Sequence, residues 1–328
     1  VPGIDSSKVY TNDNVMRLDE LPARMVVIGG GVIAAEFSHV FSAFGTEVTQ
    51  LNRSSRLLRG VDEEVVARFE EAASKQWNIV KDASLSEIRE NADGSVTVVA
   101  KHTTENGEEL LEIPADAVLV ATGRRPNTDT LNAKNYFDVQ DGGQLSVDKY
   151  QRVLYNGAPV PGVYALGDVS SRYQLKHVAN HEARVVQHNL SHPEDLRASD
   201  HRYVPAAVFS NPQIAVVGMT EEQARQAAER EGFEITVKAQ NFGDTAYGWA
   251  MEDKIGLCKL IARKDNGVLL GAHLVGEESS VLIQPLLQAM SFGMDARTLA
   301  RGQYWIHPAL TEIIENALLG LEFDEPAN

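Results

Sequence analysis

The sequence predicts an α/β protein with a parallel-sheet domain near its start and an α+β domain at its end. Three observations carry that reading. A strand–helix–strand pattern opens at Met25, alternating segments follow between residues 86 and 113, and from Tyr203 onward strand-like segments alternate with helices. At 328 residues the chain is long enough for two or three domains.

The elements follow in order. Residues 1–23 are polar and turn-rich, with Pro2-Gly3 and Pro22, and read as a connecting segment. Met25–Ile28 is a continuous apolar run ending in glycines, which suits a strand buried on both faces. Ile33, Phe37, Val40, Phe41 and Phe44 recur at helical spacing, and Gly45 is placed to stop that helix. Glu47–Leu51 reads as the next strand. Residues 62–76 read as a helix whose Asp62-Glu63-Glu64 start suits the helix dipole. Ser86–Arg89, Val96–His102 and Leu110–Ile113 alternate like antiparallel strands, with turns at Asn91–Gly94 and Asn106-Gly107. Ala117–Ala121 is another buried strand, and a first domain over residues 24–145 is expected. Residues 146–202 form a shorter piece with a strand at Val163–Leu166 and a helix over Val178–Leu190. In the last domain, residues 203–328, helices are expected at Glu221–Arg230, Ser280–Phe292 and Ala309–Leu319.

Composition excludes several classes of function. Lys and Arg number 30 against 46 Asp and Glu, a net charge of −16, which argues against nucleic acid or an anionic membrane as the main partner. The 43% apolar content is enough for packed cores. The longest apolar runs fall far short of a bilayer span, so no membrane segment is expected. A single cysteine, Cys258, excludes an internal disulfide framework and a cysteine-cluster metal site, and no metal is expected. Cys258 lies in the strand-like run Gly256–Ile261 and reads as a small buried hydrophobe. The chain begins at Val1 with no signal-peptide pattern, so it reads as the inside of a longer, cytoplasmic gene product.

Gly29-Gly30-Gly31-Val32-Ile33-Ala34 fits G-x-G-x-x-(G/A) between a strand and a helix. In that context the first glycine makes the turn, the second lets backbone approach a pyrophosphate, and the small third residue allows close packing. This is a Rossmann-like NAD(P)-binding pattern. About 20 residues on, an NAD site requires an acid for the ribose hydroxyl. The sequence instead has Asn52-Arg53-Ser54-Ser55-Arg56, with Arg59 behind it. Guanidinium suits a 2′-phosphate, so NADPH is the expected cofactor; a solvated basic loop is the bland alternative.

Four ordered motifs then resemble the flavoprotein disulfide reductases, the relatives of glutathione reductase and dihydrolipoamide dehydrogenase. They are the glycine loop with Glu36, Ala121-Thr122-Gly123-Arg124-Arg125-Pro126-Asn127, Tyr164-Ala165-Leu166-Gly167-Asp168, and His307-Pro308 with Glu312. Residues 175–182 and 301–310 look most like the branch that uses NADPH to reduce a small-molecule disulfide. The resemblance implies a partial FAD-binding domain over 146–202 and a homodimer-forming domain over 203–328.

It also implies roles. Arg53 and Arg59, with Ser54 beside them and Arg56 as helper, match the residues around the 2′-phosphate; Gly29, Gly31, Ala34, Gly123 and Arg124 match the dinucleotide lining. Val32 stands where some relatives place an aromatic gate over the flavin. Glu36 matches a carboxylate that pairs with a lysine outside these residues, or is an ordinary surface acid. Gly167 and Asp168 match the turn that accepts a flavin ribityl hydrogen bond, and His177 and Val178 the helix start facing the flavin. His181 and Glu182 read as helix surface or domain contact. His307, oriented by Glu312, matches the histidine that crosses the dimer interface and exchanges protons with the thiol pair, a task suited to imidazole near neutral pH. Trp249, Tyr304 and Trp305 could line a bulky substrate or pack an interface.

Two family features are missing: an earlier glycine fingerprint for FAD, and the C-x-x-x-x-C that receives flavin electrons. The expectations are that this polypeptide alone reduces no disulfide, binds FAD poorly, and keeps NADPH. Dihydrolipoamide dehydrogenase or a soluble transhydrogenase is the alternative within the class. A non-catalytic nucleotide-binding, dimerising module is the alternative outside it.

Overall fold

β1 (Val9–Tyr10), β2 (Arg24–Ile28), α1 (Val32–Ala43), β3 (Glu47–Leu51), α2 (Glu63–Ala73) and β4 (Asn78–Val80) open the computed structural model, which describes residues 1–324. β5 (Ala83–Glu90), β6 (Val96–Thr104) and β7 (Gly107–Ala115) follow, and β8 (Ala117–Val120) returns to the first sheet. That sheet is parallel throughout, in the order β1-β8-β2-β3-β4. Successive β2 side chains point to opposite faces, so one apolar run supplies two cores. Met25 and Val27 pack with Phe41, Val65, Phe69 and Trp77 beneath the helices. Val26 and Ile28 pack with Ile88, Val96 and Val98 of the antiparallel β5-β6-β7 sheet.

The residues group into two units, Val1–Gly123 with the chain from Pro205 onward, and Arg124–Val204. Two expected limits therefore move. Residues 1–23 are no mere connector, because Val9 and Tyr10 pair with Val118 and Leu119 at the sheet edge. The first domain ends at Gly123 rather than 145: Leu145 is buried with Ala133, Val153 and Ala165, and its N–H bonds to Val169. In this second unit β9 (Arg152–Tyr155) pairs with β10 (Ala158–Tyr164), a 3-10 turn covers Gly167–Val169, and α3 runs Lys176–Ser191.

The remaining chain forms β11 (Ala206–Val208), β12 (Gln213–Gly218), α4 (Glu221–Glu231), β13 (Ile235–Asn241), α5 (Ala246–Ala250), β14 (Leu257–Arg263) and β15 (Leu269–Gly276). α6 (Ser279–Leu282), α7 (Gln284–Phe292), α8 (Ala296–Arg301) and α9 (Glu312–Leu319) complete it. The sheet is antiparallel, ordered β11-β12-β15-β14-β13. α4 starts on a reciprocal Thr220–Gln223 capping box and stops at Gly232, whose φ of +74° is left-handed. The single helix expected over Ser280–Phe292 is two, because a proline fits only the first turn of a helix and Pro285 is the second residue of α7. Among the described residues no helix is long and apolar enough to cross a membrane. No group of three or more His, Cys, Asp or Glu among them could hold a metal ion.

Candidate active site

The glycine turn is built from both ends. Gly29 has φ +145°, and a Cβ there would lie 2.4 Å from the Ala121 carbonyl oxygen, so only glycine joins β2 to α1. The Gly29 carbonyl accepts from Gln50 Nε2 at 2.9 Å, and Gln50 Oε1 accepts from Trp77 Nε1 at 3.0 Å. These buried polar groups brace the turn from below. A Cβ on Gly31 would meet nothing within 4 Å, and the α1 N-terminus carries no side-chain cap. Ala34 is fully buried behind it, and Val32 is exposed. An open backbone with uncapped helical N–H groups fits a dinucleotide pyrophosphate.

Beyond β3, Arg53 and Arg59 are exposed and make no ion pair among the described residues. Arg56 behaves differently from the helper expected of it. Its Nη2 bonds the Val61 carbonyl, and it lines a cavity of about 430 Å³ with Asp62, Glu221 and Lys259. Ser54 Oγ donates to the Arg56 carbonyl at 3.1 Å, so its proton is engaged inside the loop rather than toward a ligand. Gly123 has φ +150° and open space at its Cβ position.

Arg124, grouped with Gly123 by sequence, is instead bonded within the second unit. Its Nη1 lies 3.1 Å from Asp168 Oδ2, and its Nη2 donates to the Gln174 carbonyl at 3.0 Å. Gly123 is the last residue of the first unit's opening segment, and Arg124 opens the second unit. Asp168 stays about half exposed. Gly167 before it has φ +70°, and its N–H donates to Glu182 Oε2 at 2.6 Å. Glu182 Oε1 bonds His201 Nε2 at 2.9 Å, and the side chain is 1% exposed. Glu182 is thus not helix surface; it anchors the Gly167-Asp168 turn. The signal was present in the sequence, since Val178, Glu182, Val185, Val186 and Asn189 share one face of α3. His181 Nε2 accepts from the Asp200 N–H, while Val178 is buried and His177 exposed in the first turn of α3. The turn, its half-exposed carboxylate and the α3 N-terminus fit one side of a flavin.

Glu36 Oε1 accepts the Phe209 N–H at 2.9 Å, tying α1 to the end of β11; it is more than a surface acid. His307 Nδ1 lies 2.7 Å from Glu312 Oε1, and the Ala309 N–H reaches Glu312 Oε2 at 3.3 Å. With Glu312 at 17% side-chain exposure and His307 at 67%, the carboxylate is held and the ring is presented. Trp305 Nε1 donates to the Ala300 carbonyl, and Trp249 and Tyr304 are exposed. Cys258 is fully buried and free, and burial pushes its thiol up to about 12, so it is no nucleophile.

The pyridine nucleotide-disulphide oxidoreductase family matches residues 1–183, and the dimerisation domain of the same family matches residues 204–318. Mycothione reductase of Mycobacterium tuberculosis is 51% identical over 98% of this chain and 67% of its own. Dihydrolipoyl dehydrogenase of Synechocystis is 33% identical over 96% of this chain and 66% of its own. The HOCl-induced flavoprotein disulfide reductase RclA from Escherichia coli superposes with a TM-score of 0.85 at 28% identity, covering 98% of this chain and 70% of that one. The chain therefore spans about two thirds of the length of these relatives. FAD and a nicotinamide dinucleotide are the cofactors this kinship implies, and a glycine turn, a half-exposed Asp168 and a His–Glu pair in one chain agree with it: the protein belongs to the pyridine nucleotide-disulphide oxidoreductases.

Proposed function

We propose that these residues form the NADPH-binding, dimer-forming and proton-handling part of a reductase acting on the disulfide of mycothiol. The observation that carries this reading is the 51% identity with mycothione reductase along nearly the whole chain, against 33% for a dihydrolipoyl dehydrogenase. Asn52 and two exposed arginines in place of the NAD-site acid support the phosphorylated cofactor.

NADPH and FAD, when bound, would supply hydride and two-electron transfer chemistry toward a substrate disulfide. The chain's own residues bind and move protons. The α1 N-terminus behind Gly31 holds the pyrophosphate, and Arg53 and Arg59 hold the 2′-phosphate. Asp168 accepts a hydrogen bond from the flavin side chain. Glu312 holds Nδ1–H of His307, so Nε2 is the position that takes a proton from one thiol and returns it to the leaving one. In a homodimer His307 serves the partner subunit's site. The thiol pair is not among these 328 residues, whose one cysteine is buried, so the proposal is that they reduce no disulfide by themselves.

The test follows NADPH oxidation by the protein carrying these residues together with a C-x-x-x-x-C segment. Turnover of mycothiol disulfide well above that of lipoamide is expected; the reverse order would move the protein to the dihydrolipoamide branch.

A further inference from the structure

Asn52 stands where a NAD-linked enzyme carries the acid for the ribose hydroxyl, directly after β3, yet its side-chain amide bonds within its own loop. It is 6% exposed and turned into the loop that follows. Nδ2 donates to the Ser54 carbonyl at 2.7 Å and to the Arg56 carbonyl at 2.9 Å, with Ser54 Oγ at 3.2 Å. Its backbone is fixed as well, with N–H to Val80 and carbonyl to Ala83. Oδ1 lies so close to the glycine turn that a Cβ on Gly30 would fall 2.2 Å from it. The far end of the loop is tied to the same glycine, because Leu58 N–H donates to the Gly30 carbonyl at 2.7 Å. Leu57 and Leu58 are buried just before Arg59.

Both ends of the arginine loop thus rest on Gly30. We propose that Asn52 is a positioning residue that sets cofactor preference, by folding residues 53–59 so that Arg53 and Arg59 stand at the mouth of the glycine turn. This rests on the NADPH reading above and adds to it which residue shapes the phosphate site. The amide is required on chemical grounds. An aspartate has no donor, and would set a carboxylate against two carbonyl oxygens now at hydrogen-bond distance. One side chain therefore holds the phosphate-binding loop in shape.

The experiment measures NADPH and NADH dissociation constants on the full chain by nicotinamide fluorescence. The variants are Asn52→Asp, Asn52→Ala and the double Arg53→Ala/Arg59→Ala, with a thermal melt of each. Asn52→Ala deletes the donations without adding charge, and serves if the aspartate variant does not fold. We expect both Asn52 variants to lose about tenfold in NADPH affinity, the weight of roughly one hydrogen-bonding unit, with NADH affinity unchanged or higher. A parallel fall for both nucleotides, or no change in their ratio, overturns the proposal, since a merely structural role moves both together. The double variant separates the two levels. If it keeps the NADPH preference, the phosphate reading itself fails; if it loses the preference while the Asn52 variants keep it, only the role of Asn52 fails.

Discussion

Lys259 Nζ lies 2.9 Å from Asp62 Oδ1 across 197 positions of sequence, joining β14 to the residue that caps α2. The same ammonium meets Glu221 Oε2 at 2.7 Å and Glu64 Oε2 at 3.2 Å. Asp62 Oδ2 in turn accepts the Glu221 N–H, so the N-termini of α2 and α4 share one buried cation. Burial works against all these charges. At Asp62 the Glu221 N–H and the Lys259 ammonium outweigh it and hold the carboxyl below its ordinary value. At Glu221 Lys259 and Arg225 do the same, and at Lys259 the carboxylates hold the ammonium above its ordinary value.

Lys259→Met should therefore destabilise the protein by about 3–5 kcal/mol, because it leaves the buried Asp62 carboxylate without its cation and Glu221 with Arg225 alone. The measurement is denaturant unfolding at about pH 7. A loss under about 1 kcal/mol would mean that water reaches the cluster and screens it.

The pH dependence of the same cluster has a definite sign. Asp62 and Glu221 have folded values below their unfolded ones, so their stabilisation is complete above the ordinary carboxylate value of about 4 and is lost as pH falls through the folded values. Melting temperature should fall steeply below about pH 4, and Lys259→Met should flatten that limb. An equally steep limb in the variant would place the acid sensitivity elsewhere.

Anchoring of the Gly167-Asp168 turn can be tested separately. Glu182→Ala removes the acceptor of a buried N–H and should cost about 1–3 kcal/mol, while Glu182→Gln, which keeps an acceptor for Gly167, should cost less. Amide exchange at Gly167 is the direct readout: it should accelerate more in the alanine variant than in the glutamine one. Equal acceleration in both would assign the anchoring to charge pairing with His201.

What the sequence made legible here follows from element size and from which face a polar residue occupies. Met25–Ile28 and Glu47–Leu51 are buried strands of sufficient length to show their character, and both stand where expected. Val9–Tyr10 and Asn78–Val80 are two and three residues long, too short for any periodicity, and they join the sheet through pairing alone. The glycine turn and the His307–Glu312 pair were readable as motifs because their chemistry fixes residue type. Gln50 was not singled out, and Asn52 and Glu182 were named without their structural roles, since residue type alone does not reveal bonds to backbone far along the chain or around a turn. Nor does the motif at Gly123-Arg124 reveal the bonds of Arg124 to Asp168 and Gln174, which lie 44 and 50 positions further along.

His307 and Glu312 allow the sharpest test of the catalytic reading. The 2.7 Å contact fixes Nδ1 against a largely buried carboxylate and leaves Nε2 on an exposed ring. In the protein that also carries the thiol pair, His307→Ala should lower turnover with disulfide by about 10²–10⁴-fold, the usual weight of a positioned acid–base group. Reduction of bound flavin by NADPH should be unchanged, because that step precedes thiol protonation. Glu312→Gln keeps the shape and an acceptor for Nδ1–H, so it should lose less than His307→Ala. Stopped-flow traces separate the two half-reactions. A slowed flavin reduction in His307→Ala, or an unchanged turnover with disulfide, would remove the pair from proton transfer and leave it a packing role at the chain's surface.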